Sequence, residues 1–324
     1  MKRIVHLLCL LVAFGLILIP VLGEAADRWP SKPITMIVGW GAGGGSDVTA
    51  RMLAPYVEEI IGGKIIVVNK PGASGELSFT ELARAKPDGY TIAWTNTPES
   101  VLLPVVRETQ FELEDFAMIA NIIDDPGVIA VRSDSPFQTL DDLIAYAKEN
   151  PGKLTIGDAG IWGDDYIAVL LFCKGAGGLK VNQVSFDGGG PNIVALLGGH
   201  IDACAVNASE IKPHEEAGKV RVLAVMGDER CHILPDVPTF RELGYDVVSG
   251  SARGISFPAG TPKEIVDKMA NAVKEALENP EFLEKAKAAN LLIRYMGPEE
   301  YTEYLYGLRD VLTELYHEVA EIAP

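Results

Sequence analysis

The sequence predicts an α/β protein built on parallel sheets with helices covering both faces. Three observations predict it. Short strand-like runs alternate with helical stretches, the runs are apolar throughout instead of alternating in and out, and glycine-rich turns stand where a run ends and a helix begins. With 324 residues the chain is long enough for two domains of about 150 residues each.

Ile34 to Val38 is the first strand, followed by a Gly-rich turn and a helix from Ser46 to Ile61. Lys64 to Val68 is the second strand, ended by Pro71-Gly72; Leu77 to Ala85 is a helix closed by Lys86-Pro87-Asp88-Gly89, and Tyr90 to Trp94 is the third strand. Val128 to Val131 begins the middle of the chain. Thr139 there caps a helix whose Leu140, Leu143, Ile144 and Ala147 share one face. Leu154 to Ile156 is a strand that ends in the turn Gly157-Asp-Ala-Gly160, ahead of a helix from Asp164 to Lys174. Val181 to Phe186 leads into the turn Gly188-Gly-Gly-Pro191 and a helix from Asn192 to Leu197; Ile201–Val206 and Val220–Val225 are further strands. The tail is helical: Ile265, Met269, Val273 and Leu277 recur every fourth residue up to Asn279-Pro280, and Tyr301, Leu305, Leu308, Leu312, Leu315 and Val319 form a longer core stripe. No Ser/Gly linker divides the chain, so two domains would be joined by ordered crossings.

The net charge is −17, from 28 basic and 45 acidic side chains. Such a surface repels phosphate backbones and anionic lipid heads, which argues against nucleic-acid partners and peripheral membrane binding. Met1-Lys2-Arg3, the apolar stretch from Ile4 to Leu22 and the small residues Gly23 to Ala26 read as a signal peptide over 1–25, cleaved after Gly23 or Ala25. An uncleaved anchor is the alternative, since about 19 apolar residues can span a bilayer. An exported, periplasmic or otherwise extracytoplasmic protein follows. Cys173, Cys204 and Cys231 remain after cleavage; their spacing fits no metal site, and they read as buried small hydrophobes.

Gly39, Gly41 and Gly44 fit the dinucleotide fingerprint, but the next strand ends in Asn69-Lys70, without the acidic residue that would hold a ribose. No Gly-Lys-Ser/Thr follows, so the Walker pattern fails as well, and no cofactor is expected. Capping by Ser46 accounts for that residue's place at the start of its helix. Taken together, Gly43-Gly44-Gly45, Gly160 and Gly188-Gly189-Gly190 lie at strand C-terminal ends before helices, where open parallel sheets collect ligands. Glycines admit an anion to backbone N–H groups, and helix starts favour negative charge. Two such sheets face to face would grip a small carboxylate. Catalytic motifs are absent from the sequence: there is no Gly-x-Ser-x-Gly elbow and no His-Glu-x-x-His. Asp164 and Asp165 read as ordinary first-turn helix residues, with an acid–base pair as the alternative.

Trp29-Pro-Ser-Lys-Pro-Ile-Thr-Met-Ile-Val38, Gly43-Gly-Gly-Ser-Asp47, Asn69-Lys-Pro-Gly-Ala73 and Pro87-Asp-Gly-Tyr90 resemble the extracytoplasmic solute receptors of tripartite tricarboxylate transporters, the Bug-type proteins. Gly188-Gly-Gly-Pro191 with Leu196-Leu-Gly-Gly199, Leu234-Pro-Asp-Val-Pro-Thr239 and Phe257-Pro-Ala-Gly-Thr-Pro262 continue the resemblance across the mature chain. It implies a type II periplasmic binding protein-like fold: two parallel-sheet lobes joined by two crossing strands, near Val128 and Gly250. Lobe 1 would take 26–128 and 250–324, and lobe 2 129–249. The function implied is capture of a small carboxylate by lobe closure and delivery to membrane permease subunits, with no catalysis. By motif match the ligand-binding residues are Trp40, Ala42, Gly43, Gly44, Gly45, Ser46, Asp47, Ala73, Thr95, Asn96 and Thr97 in the first lobe. In the second they are Asp158, Ala159, Gly160, Trp162, Gly163, Asp164, Phe186, Asp187, Gly189 and Gly190.

The chain departs from the family's usual pattern in several places. Asp158-Ala-Gly160, Trp162-Gly163 and Asp164-Asp165-Tyr166 stand where Ser-Ala-Gly, Gly-Ser and then His are usual; Phe186-Asp187 replaces a Tyr-Lys-like pair; Trp40 and Ala42 replace Phe and Pro. Ser251-Ala-Arg-Gly254 replaces the usual Trp before Pro-Ala-Gly-Thr-Pro. Extra carboxylates at Asp158, Asp164 and Asp187 would repel a second ligand carboxylate. The expected ligand therefore carries an amine, a hydroxyl-rich part or an aromatic ring beside one carboxylate, with Trp40 or Trp162 as a stacking wall; a di- or tricarboxylate is the family default. The other function readings are a secreted enzyme on this scaffold, using Asp164 or Asp158 as acid or base, and a ligand sensor without transport.

Overall fold

The computed structural model describes residues 29–186 and 188–320. The expected signal peptide over 1–25 and the expected ligand residue Asp187 lie outside the described residues. The apolar run Ile34–Val38 forms β1 and lies parallel between β2 (Ile65–Asn69) and β3 (Thr91–Asn96), with Ile34 opposite Ile65 and Thr35 opposite Thr91. Helices α1 (Gly45–Ile61), α2 (Glu76–Ala83) and α3 (Glu99–Val106) connect or follow these strands. In the second half, β5 (Thr155–Asp158) pairs parallel with β6 (Asn182–Ser185) and β7 (Ala203–Asn207). Helices α4 (Leu140–Glu149), α5 (Asp164–Gly175), α6 (Gly189–Leu197) and α7 (Ala208–Glu216) surround them. The expected cap of α4 is present as a full capping box between Thr139 and Asp142.

The two sheets share β4 (Phe116–Arg132), a 17-residue strand. Phe116 to Pro126 pairs antiparallel with β9 (Gly250–Pro258), and Gly127 to Arg132 pairs with β7 and β8 (Val220–Val225). The chain passes between the sheets twice at one level: Gly127 donates to the Ser249 carbonyl at 2.9 Å and Ser249 donates to the Met226 carbonyl at 2.9 Å. β1–β3 and β5–β7 run parallel within their sheets, whereas β4 and β9, which link the halves, pair antiparallel with their neighbours, β8 and the later strand Ile293–Met296 included. Sequence reading recovers only Val128 to Val131 of β4 because Asn121, Asp124, Asp125 and Pro126 interrupt the apolar pattern ahead of it. The chain returns through α8 (Lys263–Glu278), α9 (Pro280–Ala288), β10 (Ile293–Met296) and α10 (Pro298–Ala320) to the first sheet, where β10 pairs with β4.

Each sheet has apolar layers on both faces. In the first half Ile34, Met36, Val38 and Trp94 pack with Leu53 and Val57 of α1 and Met269 and Val273 of α8. Ile37, Phe79, Val101, Tyr301 and Leu305 fill its other face, and Ile167 of α5 joins that cluster from the second half. In the second half Ile129, Leu143, Ile156, Phe172 and Phe240 form one layer, and Val128, Ile193, Cys204 and Val206 the other. Cys173, Cys204 and Cys231 are free thiols, the last two buried, as their sequence setting suggests. Burial pushes Cys173 up to about 12, which keeps it an unreactive thiol.

Candidate ligand-binding site

The three glycine turns stand at the C-terminal ends of β1, β5 and β6. Each opens a helix: Gly44 precedes α1, Gly163 precedes α5 and Gly188 precedes α6, and none of these starts has a side-chain cap. Among the other described helices Thr139 and Asn279 cap theirs with side-chain oxygens, while α2, α3, α7 and α8 also start without a side-chain cap. Helix starts leave backbone donors free, so the three at the glycine turns offer N–H groups to an anion. The expected capping by Ser46 is corrected by the structure: Gly44 holds the cap position, and the Ser46 hydroxyl pairs with Asn96, whose Nδ2 donates to it at 3.0 Å.

Two of the expected acidic residues are absorbed by the turns themselves. Asp47 accepts from the Gly43 N–H at 2.9 Å, Asn69 Nδ2 at 2.8 Å and Arg51 Nε at 2.9 Å. Burial acts upward on Asp47, but these donors outweigh it and hold the carboxyl below its ordinary value. Asp158, fully buried, accepts from the Gly160 N–H at 2.9 Å, Gln183 at 3.0 Å and Ser185 at 3.1 Å. Both carboxylates brace the backbone of a turn.

Between the lobes lies a buried ionic cluster built on Arg253 of β9, which is 4% exposed. Its guanidinium donates to Asn207 Oδ1 at 2.6 Å, lies 3.7 Å from Asp125 and 3.9 Å from Glu210, and packs where a Cβ on Gly45 would stand. Glu210 of α7 spans two turns: one carboxylate oxygen is 3.8 Å from the Cβ position of Gly45 and the other touches that of Gly189. Asp164 accepts from Asn207 Nδ2 at 2.9 Å. Glu99, at the start of α3, is 6% exposed, with Oε1 3.5 Å from the Cβ position of Gly163 and Oε2 without a hydrogen-bond partner. Asp165 is 2% exposed with Oδ1 unpartnered, which corrects the reading of Asp164 and Asp165 as ordinary first-turn residues.

The charge balance of the cluster is lopsided. Burial first, and then the Asp164 charge, push Glu99 up to about 8. Burial pushes Glu210 up to about 7 against the pull of Arg253, with Asp125 and Asp164 adding to the rise. Asp125, Asp164 and Asp165 are raised by burial as well. Burial acts against the charge of Arg253, but Asp125, Glu210, Asp164 and Asp165 outweigh it. One guanidinium answers several carboxyl groups.

The remaining expected residues divide between cleft and packing. Gly45, Gly163 and Gly189 meet charged side chains of the cluster, and the Cβ position of Gly160 lies 4.0 Å from Ser74 Oγ of the other half. Ala73 has a positive φ of 51°, and its carbonyl accepts from Arg107 at 3.0 Å. The Ala159 carbonyl accepts from the Gly188 N–H at 3.2 Å, and the Phe186 carbonyl lies 3.8 Å from the Cβ position of Gly160. Gly190 faces open space, and Ala42 is exposed. Thr95 bonds to Ser256 and Tyr301, and Thr97 to the Ala252 backbone, so both hydroxyls point into the strand seam. Neither tryptophan stands as a free wall: Trp40 packs edge-on against Phe79 at 6.1 Å, and Trp162 against Tyr166 at 5.3 Å and Tyr316 at 5.4 Å. Sequence reading misses Glu99, Asp125, Asn207, Glu210 and Arg253. The one available signal is Arg253 itself, a charge in the otherwise uncharged run Ser251 to Phe257.

Residues 49–306 match the family described as the tripartite tricarboxylate transporter family receptor. The chain belongs to this family. The receptor is 34% identical over 292 residues, 90% of its length and 88% of the relative's, to a Cupriavidus necator protein known as the UPF0065 protein in the gbd 5' region. Its fold is similar to that of the periplasmic binding protein BugD, with a TM-score of 0.81 at 29% identity, covering 90% of this chain and 99% of that one. A Rhodopseudomonas palustris protein solved with adipate aligns with a TM-score of 0.82 at 25% identity, covering 89% of this chain and 97% of the other. The fold is that of a two-lobed periplasmic binding protein, and the family's work is solute binding for a transporter, not catalysis.

Proposed function

We propose that the receptor captures a small carboxylate-bearing solute between lobes formed by 26–128 with 250–324 and by 129–249, and hands it to the permease subunits of its transporter. The observation that carries this reading is the place of Glu210, whose carboxylate lies between the Gly45 and Gly189 turns at the uncapped starts of α1 and α6. The protein's own side chain there occupies a gap of carboxylate size. A ligand carboxylate entering it would meet backbone donors and two helix dipoles, and Arg253 beside them. The adipate held by the Rhodopseudomonas palustris protein supports a carboxylate as the common element. Closure would follow because the two turns belong to different lobes, so one ligand group bonds both. Export by the segment 1–25 would place this work outside the cytoplasm.

Isothermal titration with a panel of mono- and dicarboxylates, followed by chemical analysis of the recovered ligand, tests the reading. Saturable binding with the ligand returned intact is expected. Turnover of the ligand would favour the secreted-enzyme alternative, and failure of every carboxylate to bind would refute the proposal.

A further inference from the structure

We propose that the solute carries a positively charged group, an organic ammonium or amidinium, beside its carboxylate, and that this cation sits between Glu99 of one lobe and Asp164 of the other. The inference rests on the receptor reading above and narrows its ligand class. Glu99 is the decisive residue. It is 6% exposed, it faces Gly163 at the start of α5, and its Oε2 has no hydrogen-bond partner. A buried acceptor left unpaired is costly in a folded protein and marks a place that something else completes. The nearest charge of its own sign is Asp164. Asp164 of α5 is the acid whose charge acts on Glu99 and Arg253 of β9 the cation that does, while Asp125 of β4, Asp165 of α5 and Glu210 of α7 act on Asp164's neighbours and on Arg253 within the same seam.

Arg253 is already engaged by Asn207, Asp125 and Glu210. Once these carboxyls are ionised, a second ligand carboxylate would meet more negative charge than the one guanidinium balances, and repulsion at short range in a desolvated site is strong. A cation reverses the sign: it gives Glu99 its missing partner and bridges two carboxylates that otherwise repel across the closing lobes. Among the described residues no group of three His, Cys, Asp or Glu side chains is placed to hold a metal ion, which points to an organic cation. A zwitterion fits both ends, with its carboxylate at the Gly45 and Gly189 turns and its ammonium at Glu99 and Asp164.

The test uses matched pairs that differ only in one terminal group: succinate against 3-aminopropanoate, glutarate against 4-aminobutanoate, and adipate against 5-aminopentanoate, with aspartate, glutamate, lysine, arginine and calcium chloride as further arms. Titration calorimetry at pH 8 is expected to show the ammonium member of at least one pair, or one of the amino acids, binding at least tenfold tighter than any diacid. Protons should be released on binding, read from the dependence of the heat on buffer ionisation. Glu99→Gln, checked for folding by circular dichroism, should cost that ligand at least tenfold in affinity and abolish the proton release. A diacid binding as tightly as its ammonium partner, or calcium alone saturating the site, overturns the inference while leaving a receptor in place. Failure of every arm to bind overturns the receptor reading and this inference with it.

Discussion

Glu99 also sets a pH dependence that can be worked out in full. Its carboxyl titrates near 4.5 when unperturbed and at about 8 in the folded protein, with burial as the first cause and the Asp164 charge as the second. Below about pH 4.5 the group is protonated in both the folded and the unfolded chain, and the cost of ionisation is absent. Between about 4.5 and 8 the folded chain holds a proton that the unfolded chain has released, so stability falls as the pH rises. Above about pH 8 the whole cost is present. The gap corresponds to about 4–5 kcal/mol, at about 1.4 kcal/mol per pH unit. Glu99→Gln keeps the shape of the protonated acid and removes the ionisation. The variant should match the wild type within about 1 kcal/mol at pH 4.5 and exceed its stability by several kcal/mol at pH 8.5. Urea unfolding of the ligand-free proteins at the two pH values measures it, because the other titrating groups contribute to both proteins and cancel to first order. Identical pH slopes for wild type and variant would refute the reasoning, since Glu99 would then be ionised or solvated alike in both states.

Arg253→Met should behave in the opposite way: it leaves Asp125 and Glu210 without their cation and should cost about 3–5 kcal/mol at neutral pH. Read as thermal melting, that is a fall of about 6–20 °C, and it should shrink as the pH is lowered and the carboxyls protonate. Thr139→Ala removes the capping box of α4 and should cost about 1 kcal/mol by denaturant unfolding, with ligand binding unchanged. Cys173, Cys204 and Cys231 should each resist a thiol reagent in the native protein at pH 8 and react once it is unfolded, read by mass mapping; quick native labelling of Cys204 would contradict its burial.

Most of the scaffold was legible because it follows from local pattern. β1, with four apolar residues in five, and the capped start of α4 come out of the sequence at their observed limits, since periodicity and caps are properties of neighbours in the chain. What was not legible was assembled from afar. β4 mixes Asn121, Asp124 and Pro126 with apolar residues because it leaves one sheet and enters another, so no single face pattern runs along it. The turns were found through their glycines, but the side chains that meet them come from elements the glycines do not announce. Glu210 reads as one more acidic residue in a polar helix, and Glu99 as a helix-start acid, until the fold carries both to the seam between the lobes. Of the acids expected in the cleft Asp164 is there and Asp158 is spent bracing its turn, while Glu99, Asp125 and Glu210 join Asp164 in the seam around Arg253.

That distribution of charge gives the cleft a physical logic. A ligand-free receptor must open readily, and a seam where Glu99 and Asp164 oppose each other resists closure whenever both are ionised. The same pair becomes an attraction once a cation lies between them. The cost of ionising Glu99 in the empty closed form, from burial first and the Asp164 charge second, therefore supplies the difference in free energy between empty and loaded closure, which is the quantity a delivering receptor needs. Glu99→Gln, by removing the repulsion, should make the empty protein both more stable and more willing to close. It would bind the cation less well for the same reason, so the stability gain and the affinity loss must share one pH dependence.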